Sequence, residues 1–391
     1  MKFGIFALST VPATFAEREQ LRPIGRNNER VQQMLEELRA IAIRADQSGF
    51  DGFATTEHHF HSEGLELSPS PFTLFGDLAA RTDRIKLVTM ALALPSWDPL
   101  RLAEEIAMLD HLSKGRFIPG IGRGYQHRWI NILGQQYGVS GARSDGGDED
   151  RCNREIFEEL FAIMKAAWTE DAFDFNGRYY QVPYPHDSGI AHWPAAESWT
   201  SKYGAPGELD EQGRVRKIAV VPKPYTLPHP PIWQPITSSE ETIRWCARQD
   251  IHPIFLIGPP DNLKASYAIY RDEMARHGRP RALGEGVVTL GGVNISSTYE
   301  SAYRSEEGAL GAAFVNYFAH FGYGKVSFRD MVDSGFLNVG TINDVKRRLA
   351  AIQECGTEWF FWYIEQGVMG WDEVQRQMDL FEREILSEFQ S

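Results

Sequence analysis

A glutamate and two histidines follow directly on a short apolar run in Phe53-Ala54-Thr55-Thr56-Glu57-His58-His59-Phe60. Buried strands of alternating α/β chains end this way, apolar within the sheet and titratable at the carboxyl end. On extended backbone, adjacent side chains face opposite sides, so His58 and His59 do not share one task. A neutral imidazole that titrates near physiological pH is a proton acceptor or donor, and this is the favoured chemistry. A metal site would need further ligands converging from other strand ends. No His-x-His on the first strand and no helical His-Glu-x-x-His supplies them, so no metal is expected. The remaining alternative is a pair of histidines satisfied by hydrogen bonds at a strand end.

Other residues have the chemistry to hold an anion. Arg123 lies in a Gly-x-Arg-Gly turn straight after an apolar run. Glycine lets backbone approach a ligand, and guanidinium offers a bidentate grip on phosphate. Arg151 opens a helical pattern, and Ser238-Ser239 with Thr242 open another. Hydroxyls at a helix N-terminus bind anions, but Ser238 or Ser239 serves equally well as an ordinary N-cap. The aromatic-rich stretch with Tyr179, Tyr180, Tyr184, Trp193, Trp199 and Tyr203 suits either a cover for a flat apolar ligand or a subunit surface.

The elements that would position these groups alternate along the whole chain. A strand at Lys2–Ala7 leads through a polar loop to a helix with Met34, Leu38, Ile41, Ala42 and Ala45 at 3.6-residue spacing, closed by Gly49. Strands follow at 52–55, 85–90 (continuing towards Pro95), 117–120, 231–233, 252–257, 286–295 and 359–363, with helical patterns between them. No Gly-rich dinucleotide fingerprint follows the first strand. About eight strand–helix units in 391 residues fit a (β/α)8 TIM barrel in one domain. Loop insertions at the carboxyl-end face account for the excess over roughly 250 residues. The aperiodic stretches 171–229 and 318–337 are the candidate lids.

Composition narrows the function classes. The chain is 42% hydrophobic and 24% charged, with net charge -13, which argues against a nucleic-acid groove or an anionic membrane surface. No apolar run approaches a membrane span, and the first residues lack the apolar region of a signal peptide, so a cytoplasmic location is expected. Cys152, Cys246 and Cys355 are far apart in helical patterns and read as buried or half-buried thiols.

Several stretches together resemble the bacterial luciferase-like flavin-dependent monooxygenases. They are Glu57-His58-His59-Phe60, Leu94-Pro95 with Pro99-Leu100-Arg101, Leu109-Asp110-x-Leu112-Ser113-Lys114-Gly115-Arg116-Phe117, Gly120-Ile121-Gly122-Arg123-Gly124 and Val339-Gly340-Thr341. The resemblance covers almost the whole chain. It implies a barrel that binds reduced FMN at the carboxyl ends of its strands, with His58 as the catalytic histidine. Arg123, Arg151, Ser239 and Thr242 match flavin-phosphate positions, and Met90-Ala91 matches a non-proline cis peptide beneath the flavin ring. Gly122 stands where luciferase has a reactive cysteine and Ser238 where it has a glutamate, which speaks against light emission but not against flavin binding. The implied activity is two-component: a separate flavin reductase supplies reduced FMN, which reacts with O2 through a flavin hydroperoxide to oxygenate a small organic compound. The aromatic stretch and the few basic residues outside the phosphate site point to an apolar or uncharged substrate. The stretch 185–215 has no counterpart in luciferase. Relatives also include deazaflavin-dependent oxidoreductases and non-catalytic flavin-binding barrels, and a homodimer or higher homo-oligomer is implied.

Overall fold

The computed structural model describes residues 1–236, 239–306, 308, 311 and 327–389. The chain divides into two compact units. The first comprises Met1–Leu92, Ile118–Ile121 and Pro231–Ser391, and the second Ala93–Phe117 with Gly122–Pro230.

The first unit is built on β1 (Lys2–Ala7), β2 (Gly52–Thr55), β3 (Lys86–Thr89), β4 (Phe117–Ile118), β5 (Trp233–Ile236), β6 (His252–Leu256), β7 (Val288–Ile295) and β8 (Trp359–Ile364). They run side by side in the order β4-β3-β2-β1-β8-β7-β6-β5, and Leu337–Gly340 adds a short strand against β7. Every pairing along β3-β2-β1-β8-β7-β6-β5 is parallel. Gly120, just past β4, bridges Trp233 of β5 in parallel, and the Trp233 amide donates to Pro119 O at 3.0 Å. The eight strands therefore form a nearly closed parallel barrel with flanking helices, the (β/α)8 architecture expected of the alternating pattern.

Side-chain alternation decides what fills the barrel. Phe361 of β8 points across the interior: a Cβ at Gly4 on β1 would lie 2.2 Å from its ring, and one at Gly52 on β2 would lie 2.8 Å away. Trp233 and Trp359 pack against each other with ring centroids 5.3 Å apart, and Trp233 lies 5.8 Å from Phe361. These rings plug the interior, and only glycine at position 4 leaves room for them. Gly4→Ala is expected to overpack this layer and lower stability by about 1–3 kcal/mol, measured by urea unfolding. Trp362, one residue on, faces outward and stacks on Phe381 of helix Trp371–Phe381 at 4.7 Å. With the interior plugged, chemistry is left to the carboxyl ends of the strands.

The helices form where the pattern and the caps agree. Helix Asn28–Ser48 starts at Asn27, whose side chain accepts from the Arg30 amide, and ends at Gly49 with φ 97°. Helix Pro71–Ala79 carries Pro71 in its first turn behind a Ser70 cap. The loop expected before Asn27 instead contains helix Phe15–Gln20, held by a capping box between Thr14 and Glu17. β3 stops at Thr89 rather than running on towards Pro95.

The second unit centres on helices Pro99–Ser113 and Asp148–Thr169. The stretch 171–229 is not structureless: Phe175–Asn176 pairs antiparallel with Gln181–Val182, and Phe173 bridges Ile218. Tyr184, Trp199 and Tyr203 of this stretch are exposed. Of the other candidate lid, 318–326 lies outside the described residues, while Phe328–Asp333 is a helix with a Ser327–Asp330 capping box. Cys246 and Cys355 are buried and Cys152 half-buried, all as free thiols.

Candidate functional site

Beyond β2 the chain makes a tight loop over residues 56–68, pinned at its base where the His58 amide donates to Ser68 O at 3.1 Å. His58 is only 6% exposed. Its Nδ1 lies 2.9 Å from Thr56 Oγ1, which lies 3.1 Å from Ser68 Oγ. Glu66 Oε2 stands 3.6 Å from His58 Nδ1 and 3.8 Å from His61 Nε2, ion-pair rather than hydrogen-bond separations. Burial pushes the His58 imidazole down to about 3, with His61 adding to the effect and Glu57 opposing it. The ring is thus neutral at physiological pH. His59 has a different environment, with its Nε2 2.9 Å from Glu57 Oε1; both histidines lie in the loop past β2, so this loop and not strand alternation separates them. Phe60 and Glu66 adopt φ of 65° and 53°. Side chains rarely occupy this left-handed region, which costs about 1–3 kcal/mol per residue, and such outliers gather at functional sites.

The neighbouring strand ends complete this part of the first unit. The Met90 amide donates to Thr55 O at 2.7 Å, Met90 is buried and Ala91 half-buried. The Met90–Ala91 peptide is cis, the geometry implied by the resemblance. Across the barrel, helix Glu240–Gln249 begins at Ser239, whose Oγ accepts from the Thr242 amide at 3.3 Å. Ser239 is therefore an N-cap, and Thr242 is buried beside it. Glu240 and Glu241 in the first turn suit the helix dipole and oppose an incoming anion. Ser238 lies outside the described residues.

The remaining sequence candidates lie in the second unit. Gly122 is half-buried. Arg123 is 9% exposed and its guanidinium pairs with Asp150 Oδ1 at 2.8 Å, with a second nitrogen 3.2 Å from Ser144 Oγ. The same Asp150 carboxylate accepts from the Ser144 amide at 3.0 Å and the Gly146 amide at 3.3 Å. Burial pushes the Asp150 carboxyl up, but Arg123 and those amides outweigh it and hold it below the usual carboxylate range. Burial, with Arg154 nearby, lowers the Arg123 pKa against the opposing pull of Asp150. Arg151 does not open its helix, which starts three residues earlier at Asp148. Its side chain is 63% exposed, donates to Gly146 O at 2.6 Å and pairs with Asp148.

The sequence reading missed Thr56, Ser68, Glu66 and His61 around His58, and Asp150 behind Arg123. The readable signal was density: six titratable side chains from Glu57 to Glu66, and three acids immediately before Arg151. Among the described residues no group of three or more His, Cys, Asp or Glu side chains is placed to hold a metal, and no helix is long and apolar enough to cross a membrane. A polar cleft at the starts of β1 and β8 is lined by Lys2, Asp51, Arg84 and Glu358. It lies at the amino-terminal face of the barrel, where side chains serve stability rather than catalysis.

The luciferase-like monooxygenase family matches residues 1–358. The 3,6-diketocamphane 1,6-monooxygenase of Pseudomonas putida is 24% identical over 334 residues, 81% of this chain and 82% of the relative. The oxygenase component of flavin-dependent trigonelline monooxygenase from Acinetobacter baylyi is 27% identical over 203 residues, 51% of this chain but only 43% of the relative. Among solved structures, monooxygenase RslO1 from Streptomyces bottropensis superposes with a TM-score of 0.74 at 23% identity, covering 100% of both chains. The oxygenating constituent of 3,6-diketocamphane monooxygenase from Pseudomonas putida, solved with FMN, gives a TM-score of 0.72 at 21% identity over 100% of this chain and 99% of the other.

Proposed function

The chain belongs to the luciferase-like monooxygenase family, and we propose that it is the FMN-dependent oxygenase component of a two-component system acting on a small apolar or uncharged organic compound. The observation that carries this reading is His58, a buried, neutral imidazole at the carboxyl end of a strand of the family barrel. Named activities of the relatives support it: a diketocamphane monooxygenase and a trigonelline oxygenase component. A separate reductase then supplies reduced FMN, and the working form is a homodimer or higher homo-oligomer.

The donor sets suit a flavin phosphate in kind. Arg123 and Arg151 offer guanidinium groups of the kind that holds a phosphate. The two arginines are not equivalent. Arg123 is held by a buried carboxylate and acts as a fixed support, whereas the exposed Arg151 exchanges its surface partner Asp148 for an anion at little cost. Arg151→Ala is accordingly expected to weaken FMN binding about tenfold while leaving riboflavin, which lacks the phosphate, unaffected; fluorescence titration with both flavins checks this.

Bound reduced FMN supplies the activation of O2. The protein contributes orientation, exclusion of water and proton control. His58 accepts or returns a proton at the reacting centre, and as a neutral ring it can act in either direction. Met90 and Ala91, at the end of β3, would present backbone to the flavin. The test is a reaction with a flavin reductase, NADH, FMN and 18O2 over a panel of cyclic ketones and other uncharged compounds. One 18O atom is expected in the product. Product oxygen drawn only from water, or a hydride-transfer product made solely with a deazaflavin, would refute the reading.

A further inference from the structure

We infer that Glu66, acting with Thr56 and Ser68, fixes the proton of neutral His58 on Nδ1 and so leaves Nε2 as the proton-accepting atom. The inference rests on the reading of His58 as the acid–base residue, and it names three positioning residues for that reaction.

The contact between His58 Nδ1 and Thr56 Oγ1 at 2.9 Å is compatible with either partner donating. The surrounding charge decides between them. Glu66 Oε2 lies 3.6 Å from the same Nδ1, and the Glu66 side chain is 2% exposed, so little water screens it. As a carboxylate, Glu66 at this distance would attract the positive end of an Nδ1–H dipole and repel a lone pair at that atom. With Nδ1 protonated, Thr56 Oγ1 accepts its hydrogen and turns its own hydroxyl onto Ser68 Oγ, 3.1 Å away. Both hydroxyls are buried, and the His58 amide bond to Ser68 O holds the ring and the relay together. A carboxylate at Nδ1 would steady the imidazolium formed when Nε2 takes a proton.

Among the described residues, the charged groups nearest the ring have partners of their own. Glu57 is held on His59 Nε2 at 2.9 Å, and Glu63 lies on His61 Nδ1 at 3.4 Å. Arg18, from helix Phe15–Gln20, bonds the Glu63 carbonyl rather than any group of the His58–Glu66 pair. His61, whose ring centroid is 5.7 Å from that of His58, offers its Nε2 to the same Glu66 oxygen at 3.8 Å. The carboxylate is thus flanked by two imidazoles. In the proposed step the Nε2 lone pair takes a proton, an N–H bond forms, the donor keeps its electron pair, and the resulting positive charge faces Glu66 across the ring.

The test is 15N NMR of protein carrying 15N-labelled histidine, with His58 assigned from the signals lost in His58→Gln. Wild type is expected to show His58 protonated at Nδ1 and bare at Nε2. Glu66→Gln is expected to reduce that preference at least tenfold and to lower kcat with little change in KM. Thr56→Val, which keeps the side-chain volume, is expected to disturb the Nδ1 signal, and Thr56→Ser to restore it. An Nε2–H tautomer in wild type, or an unchanged tautomer in folded Glu66→Gln, would overturn the inference. If wild type shows Nδ1–H but His58→Gln turns over normally, the acid–base reading fails while the assignment of the ring proton stands.

Discussion

Replacing His58 with glutamine is expected to lower oxygenation turnover by about 10²–10⁴-fold, the usual worth of a positioned acid or base. Binding of oxidised FMN should change little, because His58 is given no role in holding the phosphate. The same substitution has a second signature in stability. The folded-state pKa of His58 is about 3, well below the usual histidine value of 6.5, because burial disfavours the charged ring. Between those two values the unfolded chain binds a proton that the folded chain does not. Stability contributed by the neutral ring is therefore present above pH 6.5 and is lost as pH falls towards 3. His252, on β6, is pushed down to about 4 by burial with Arg281 adding to it, and works in the same direction. His58→Gln is thus expected to flatten, without abolishing, the acid side of the stability curve measured by urea unfolding between pH 4 and 7. Unchanged turnover together with an unchanged acid limb would remove His58 from both roles.

Asp150→Ala is expected to destabilise the protein by about 3–5 kcal/mol, because it removes the carboxylate hydrogen-bonded to the buried Arg123 guanidinium. The Ser144 and Gly146 amides lose their acceptor at the same time. Removing one partner of a buried pair costs far more than removing both. The double variant Arg123→Met with Asp150→Leu is accordingly expected to recover most of the lost stability in urea unfolding. A double variant no more stable than Asp150→Ala would show that the carboxylate acts through the loop amides and not through Arg123.

The barrel was legible because its signals are local and repeated. Apolar strands bounded by turns, 3.6-residue helical stripes and caps such as Gly49 and Ser70 each needed only a few neighbouring residues. Helix Phe15–Gln20 was read as a polar loop: Thr14 followed by Glu17 is a capping box, but with no buried residues the helix has no apolar stripe. His58 was singled out from His59 by family resemblance, since the strand ends at Thr55 and both histidines lie in the loop beyond it. Its partners were not, because Glu66 meets the ring, and Ser68 meets Thr56, only when the loop doubles back on itself. Arg123 was recognised by its glycine-flanked turn, yet Asp150 lies 27 residues away and no periodicity links the two. Ser239 shows the limit of motif chemistry, since a hydroxyl at a helix start reads the same whether it caps the backbone or awaits a phosphate. The structure records the cap.

Anaerobic titration of the purified protein with reduced FMN and with a reduced deazaflavin tests most directly whether this barrel is a reduced-FMN enzyme. Reduced FMN is expected to bind at least tenfold more tightly than the deazaflavin, and Arg151→Ala to narrow that margin. Tighter binding of the deazaflavin, or no binding of reduced FMN by folded protein, would contradict the account.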